Sequence, residues 1–386
     1  MKFHINLLEE FGAHLLIGLV SQGVEMLIEQ IEHRWLLAFE RTFALCKVQP
    51  NEVVALLTES QSRRVNVDLA RLALQQMGAK VFEVCLPTPA LSAPAPIRST
   101  GATDVIQNLA PVVAALQRAH LIIDCTVEGM LHAPELPTIL KGADGVVPRL
   151  FMISNEHPEI LERTVPDPAL EGVVRNAMKK LRSAQHMHVT SKAGTDLNIQ
   201  LKSAVVGGVW GFCSKPGMVS HWPGGLALAF PAAGSVNGTL VMAPGDVNLT
   251  FKRYVRDTIH LTIENDTITR IQGEGVDVDM MRSYYQAWID KEGHRDACAV
   301  SHVGFGLNPA ARWDAMTFYD KRDCNGTELR AFAGNFLYST GANEVAGRHT
   351  LGHFDLPMRN CSIALDGQFV VQEGELVKGV FESVAS

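Results

Sequence analysis

Between residues 53 and 183 short apolar runs alternate with amphipathic stretches, and beyond about residue 185 that alternation stops. The first region reads as strand Val53–Thr58, helix Val65–Gly78 closed by its glycine, and strand Val81–Leu86. Helix Val105–Ala119, strands Leu121–Asp124 and Arg149–Ile153, and helix Leu170–Ser183 follow. Strands joined through helices pair in parallel, with the helices crossing over the sheet, so this order predicts an N-terminal α/β domain with a mostly parallel sheet. Residues 87–104, rich in Pro, Ala, Ser and Thr, read as a long loop. From residue 186 the chain changes to short strands and Gly-containing turns: His186–Thr190, Leu197–Leu201, Gly238–Met242, Val247–Phe251, Ile259–Glu264 and Ile268–Gly273. One helix, Asp277–Lys291, interrupts them. The expected organisation is therefore residues 1–185, with 1–45 as a helical extension, followed by a β-rich C-terminal domain over 186–386. Leu27, Ile31, Leu36 and Phe39 carry the helical spacing of the extension, which would lie over the first domain or against a neighbouring subunit.

A length of 386 residues suits two domains, and 47% apolar against 19% charged residues leaves a sizeable core. The net charge of −7, with no basic stripe, excludes a nucleic-acid binder. No G-x-G-x-x-G or G-K-[ST] opens a helix, so a nucleotide site is not supported. The seven cysteines form no C-x-x-C and read as reduced thiols of a cytoplasmic protein. The apolar run His14–Val20 follows Glu9 and Glu10 rather than a basic segment and is too short to span a bilayer, so neither a signal peptide nor a membrane anchor is expected.

The chemistry concentrates in a few histidines. His353 and Asp355 are two apart, which on a strand places both on one face. With His302, in Ser301-His302-Val303-Gly304-Phe305-Gly306, they make two imidazoles and one carboxylate, the set that holds mononuclear iron(II) with one side open. The same residues also suit a hydrogen-bonded pair with no metal. His132 lies just past the strand ending at Asp124, where the crevice of a parallel sheet opens; it is either an acid–base residue or a helix-start histidine. His221, in Ser220-His221-Trp222-Pro223, is either catalytic or simply hydrogen-bonded in a turn, and Trp222 packs or lines a pocket. Gly334 and Gly341 fit close backbone approach, and His349 is expected at the surface.

In order, Leu131-His132 with Pro134-Glu135, Ser191-Lys192-Ala193-Gly194, His221-Trp222-Pro223, Ser301-His302-x-Gly-x-Gly-Leu and His353-x-Asp-x-Pro-x-Arg-Asn-Cys resemble the 2,5-dihydroxypyridine 5,6-dioxygenases. These ring-cleaving enzymes of nicotinate degradation belong with the M29 aminopeptidase-like proteins. The resemblance spans roughly residues 50–375 and leaves the N-terminal extension unmatched. It implies Fe(II) held by His302, His353 and Asp355, with His132 and His221 handling protons and holding a small aromatic substrate that reacts with O2. It also implies a β-rich metal-binding C-terminal domain and a homo-oligomer. A histidine with a pKa near neutral suits the proton transfers, and Trp222 and Phe305 suit a flat ring. Val205–Met218 and Phe305 depart from the family pattern, so the reaction transfers more firmly than the substrate. Mn(II) suits the same ligand types. The competing assignment is an M29-type metallo-aminopeptidase with two metals. It is disfavoured because Phe305 stands where a ligand glutamate is expected and Gly334–Ser339 holds no histidine.

Overall fold

Five strands form the parallel sheet, four of them from the region that alternates with helices. The computed structural model describes residues 30–90, 103–319 and 325–382. In chain order, β1 is Val53–Glu59, β2 Lys80–Leu86, β3 Leu121–Asp124 and β4 Arg149–Met152. They lie in the order β2-β1-β3-β4, all parallel. Alternate residues serve opposite faces: Val54 and Leu56 join one apolar cluster, Ala55 and Leu57 another. Burial on both faces is what helices on each side of a parallel sheet produce.

Helix His33–Leu45 buries Trp35, Ala38, Phe39, Thr42 and Phe43, one face at 3–4 residue spacing. Phe43 meets Phe151 of β4 at 6.3 Å between ring centres, so this part of the extension lies on the first sheet. The earlier part of the expected extension, with His14–Val20, and most of the loop at 87–104 lie outside the described residues.

After helix Pro168–Ser183 the pairing becomes antiparallel. The strands are β5 His186–Ser191, β6 Asp196–Gln200, β7 Val205–Val209, β8 Val219–His221, β9 Leu226–Phe230 and β10 Val236–Met242. A ribbon of β11 Val247–Asn248 and β12 Arg253–Tyr254 follows, then β13 Ile259–Glu264, β14 Thr267–Gln272, β15 Val300–Gly306, β16 Phe336–Thr340 and β17 Phe354–Met358. The last are β18 Cys361–Leu365, β19 Gln368–Gln372 and β20 Glu375–Leu376. One sheet runs β14-β13-β10-β6-β5-β18-β19-β20 and another β17-β16-β15-β9-β7. One strand crosses the change of texture at residue 185: β8 returns to the parallel sheet beside β4, with His221 opposite Met152.

Two expected elements are shorter than their apolar patterns suggest. The helix expected over Val105–Ala119 is Ala110–Leu116, since Pro111 fits only its first turn and Asn108 sits at φ +61° just before it. The strand expected over Val247–Phe251 stops at Asn248 in a turn closed by Lys252 N–H on the Leu249 carbonyl at 3.1 Å. The Ser191–Gly194 motif is the turn of the β5–β6 hairpin, with Gly194 at φ +110°.

Candidate metal centre

Register alone brings three side chains of the candidate centre into line. His302 on β15 stands opposite Ser339 on β16, and Ser339 stands opposite Asp355 on β17. Directly opposed residues share a face, so imidazole, hydroxyl and carboxylate form one rung. A bulge between Val300 and His302 re-aims β15 at this point, a common device beside functional sites. His353 stands one residue before β17 and two before Asp355, on the same side. Its Nε2 is 3.2 Å from Asp355 Oδ1, and His302 Nε2 is 4.0 Å from the same oxygen.

The backbone at His353 is clamped. Tyr284, on helix Val276–Glu292, accepts from the His353 N–H at 3.1 Å and donates its hydroxyl to the His353 carbonyl at 2.9 Å. Gly341, at φ +129°, allows the neighbouring chain to pass: a Cβ there would lie 2.4 Å from Gly352 O and 3.0 Å from His353 Nδ1.

The parallel sheet supplies the other two histidines. His132 follows β3, and its ring centre lies 4.2 Å from that of His353 and 5.9 Å from that of His302. Ligand atoms of His132, His302 and His353 all fall within 4.8 Å of one another, a group able to hold a metal ion. His221 closes β8, and its Nδ1–H donates to the Pro223 carbonyl at 2.6 Å, which leaves Nε2 as the nitrogen with the free lone pair. Both histidines thus sit at the carboxyl ends of parallel strands, where α/β sheets bind their ligands.

The electrostatics favour neutral imidazoles around an anionic carboxylate. Burial pushes His302 down to about 3 and His221 down to about 4, with the Arg330 charge adding to both. Burial, then His353 and His302, hold His132 well below the usual histidine value. These values correct the expectation of a near-neutral histidine pKa: the three rings are uncharged at physiological pH. Burial alone would raise Asp355, yet Arg330 and the neighbouring imidazoles hold it well below the carboxylate range. Arg330 Nη2 lies 2.7 Å from Asp355 Oδ2, and Ser339 donates its hydroxyl to Oδ1, so each carboxylate oxygen is pinned.

All five histidine and aspartate residues singled out in the sequence gather here, while two aromatic expectations do not. Trp222 is fully buried against Phe39 and Phe151 and donates to the Thr164 carbonyl at 2.8 Å, so it is core rather than a ring contact. Phe305 lies three positions from His302 on a regular stretch of strand, hence on the opposite face, and stacks on Phe381 at 5.4 Å. Phe230 at the end of β9, half-buried, meets His302 edge-on at 5.3 Å and is the aromatic residue the sequence did not point to. Arg330, Ser339 and Tyr284 were also missed. Only strand register could have signalled Ser339, and Arg330 reaches Asp355 from helix Thr327–Ala331 with no periodic cue. His349 is exposed, as expected.

Histidines at the carboxyl ends of a parallel sheet, faced by an antiparallel sheet bearing further imidazoles and a carboxylate, define an enzyme with a candidate metal centre. AmpT from Thermus thermophilus shares the fold, with a TM-score of 0.60 at 14% identity over 89% of this chain and 99% of that one. A family model of 2,5-dihydroxypyridine 5,6-dioxygenase matches residues 34–378, and the chain belongs to that family. A 2,5-dihydroxypyridine 5,6-dioxygenase of Pseudomonas putida KT2440 is 37% identical over 346 residues, covering 88% of this chain and 95% of the relative. The solved structure of 2,5-dihydroxypyridine dioxygenase from Pseudomonas putida KT2440 has a TM-score of 0.80 at 34% identity, over 90% of this chain and 98% of that one.

Proposed function

We propose that this chain is an Fe(II)-dependent dioxygenase that opens the ring of 2,5-dihydroxypyridine, or a closely related hydroxylated N-heteroaromatic, and places both atoms of O2 in the product. The observation that carries the assignment is the rung of His302, Ser339 and Asp355 with His353 beside it, in a member of this family. Its donor set fits the metal. Ligands side by side on an ion with bonds of about 2.1 Å stand roughly 3 Å apart, and His353 Nε2 to Asp355 Oδ1 is 3.2 Å. Metal ligands must be deprotonated, and the environment keeps His302 neutral and Asp355 anionic.

His302, His353 and Asp355 would hold the iron, which supplies a redox-active centre with an open side for O2. Arg330 and Ser339 fix the carboxylate so that Oδ1 faces the imidazoles. The neutral Nε2 of His221 is suited to accept a ring-hydroxyl proton, and the half-buried, neutral His132, its ring centre 4.2 Å from that of His353, to hold the substrate by a hydrogen bond and to pass on a proton only after receiving one. Phe230 offers an aromatic face beside His302 for a flat ring. We assign the protein to the cytoplasm as a homo-oligomer. No described helix is long and apolar enough to cross a membrane.

The test is O2 uptake after anaerobic Fe(II) loading, with loss of 2,5-dihydroxypyridine absorbance followed in parallel. One O2 consumed per ring lost is the expected result. Absence of both iron retention and O2 uptake, with leucyl-peptide hydrolysis on adding Co(II) or Zn(II), would overturn the assignment in favour of the aminopeptidase.

A further inference from the structure

We propose that Asp124 and Thr126 are positioning residues for His132: they form a hydrogen-bonded staple that sets the loop from β3 to the candidate centre. The proposal rests on the role assigned above to His132. Asp124 is the last residue of β3 and is fully buried. Its Oδ1 accepts from the Thr126 N–H at 3.0 Å and from the Thr126 hydroxyl at 2.6 Å, and its Oδ2 accepts from the Met130 N–H at 2.8 Å. The Thr126 hydroxyl in turn accepts from the Gly129 N–H at 3.1 Å. One carboxylate and one hydroxyl thus gather the backbone of Thr126, Gly129 and Met130 about a single point.

Neighbouring segments complete the enclosure. Glu59 at the end of β1 accepts from the Val127 N–H at 2.6 Å, and the Gly129 carbonyl accepts from Thr103 N–H at 2.9 Å. Gly129 turns at φ +82°, where a Cβ would lie 2.0 Å from Met152 Sδ, so the loop is flush against β4. The next turn is closed by Ala133 N–H on the Met130 carbonyl at 3.1 Å, and it carries Leu131 and His132 at its two central positions. Met130 is therefore fixed at its N–H by Asp124 and at its carbonyl by the turn that presents His132. A buried carboxylate spending its acceptors on backbone N–H groups, rather than on a cation, restrains chain direction more than it adds stability.

The variants are Thr126→Val, which deletes the hydroxyl at nearly constant volume, Thr126→Ser, which restores it, and Asp124→Asn, which cannot accept at both oxygens. Each is measured as full-length, Fe(II)-loaded enzyme, with and without His132→Ala. The readouts are kcat/KM and the anaerobic Kd for 2,5-dihydroxypyridine. We expect Thr126→Val to keep wild-type iron content, to lose about tenfold in both readouts, and to be rescued to within about twofold by Thr126→Ser. In the His132→Ala background the same change should cause no further weakening of Kd, because the residue it positions is gone. Equal losses in both backgrounds, or no loss in the wild-type background, would overturn the proposal. Should the wild type neither bind nor cleave the substrate, the functional assignment fails by itself. Hydrogen exchange at the Met130 amide then judges the staple, and unchanged protection in Thr126→Val refutes it.

Discussion

Replacing His221 with glutamine isolates one titration whose sign and size follow from burial. The ring is 3% exposed, and burial, aided by the Arg330 charge, pushes it down to about 4. In an unfolded chain a histidine titrates near 6.5. Between those two values the unfolded chain binds a proton that the folded chain refuses, so stability falls as pH drops from about 6.5 toward 4. At ~1.4 kcal/mol per pH unit the span corresponds to ~3 kcal/mol, reached only near pH 4 and absent above pH 7. Glutamine keeps an amide donor for the Pro223 carbonyl and does not titrate. Urea unfolding of both proteins at pH 7, 6, 5 and 4.5 should show wild type losing stability faster than His221→Gln, with a gap of ~2–3 kcal/mol opened by pH 4.5. His302 and His132 add acid sensitivity of the same sign, but they are common to both proteins and largely cancel in the difference. Curves that stay parallel from pH 7 to 4.5 would show that His221 is already charged, or solvated, in the folded state, and the reasoning from burial would fall.

His353→Ala and Asp355→Asn should each lower iron content per chain below a tenth of wild type while circular dichroism is unchanged; full iron in either would remove that residue from the ligand set. Ser339→Ala removes a hydroxyl from the buried Asp355 carboxylate, so iron affinity should fall about 10- to 100-fold by competition with a chelator, and an unchanged affinity would make Ser339 incidental. Gly341→Ala forces a Cβ against Gly352 O at 2.4 Å and carries backbone strain of about 1–3 kcal/mol, so it should lower both Tm and iron affinity. A normal Tm there would mean that the two segments are not held in contact.

The residues legible in the sequence were those whose signal is local. His353 and Asp355 share a face because they are two apart, and His132 follows a strand that an ordinary apolar run reveals, whereas His221 was read in a turn and the short strand it ends, β8, went unread. Ser339 carries no such mark: it enters the site through pairing across β15, β16 and β17, and register between distant strands is not written in either strand alone. Phe305 and Trp222 misled for the complementary reason. Proximity to a functional histidine along the chain says nothing of which face a strand residue serves or what a neighbouring helix covers. The over-long helix at Val105–Ala119 had its correction in plain view, because Pro111 suits a first turn and not a helix centre.

The return of β8 to the parallel sheet has a consequence for how the protein is made. As the chain leaves the ribosome, β4 is complete at residue 152, but its partner is not available until residue 221 has emerged. Through that interval β4 presents an open hydrogen-bonding edge next to nascent antiparallel segments able to occupy it. His221 is the last residue of the strand that closes the edge, so the same pairing that ends this exposure delivers the histidine proposed as proton acceptor. A gene split near residue 185 would yield a first half that keeps an unsatisfied edge and a second half that lacks the platform for its histidine, and activity would return only when the two fragments zip along β4 and β8.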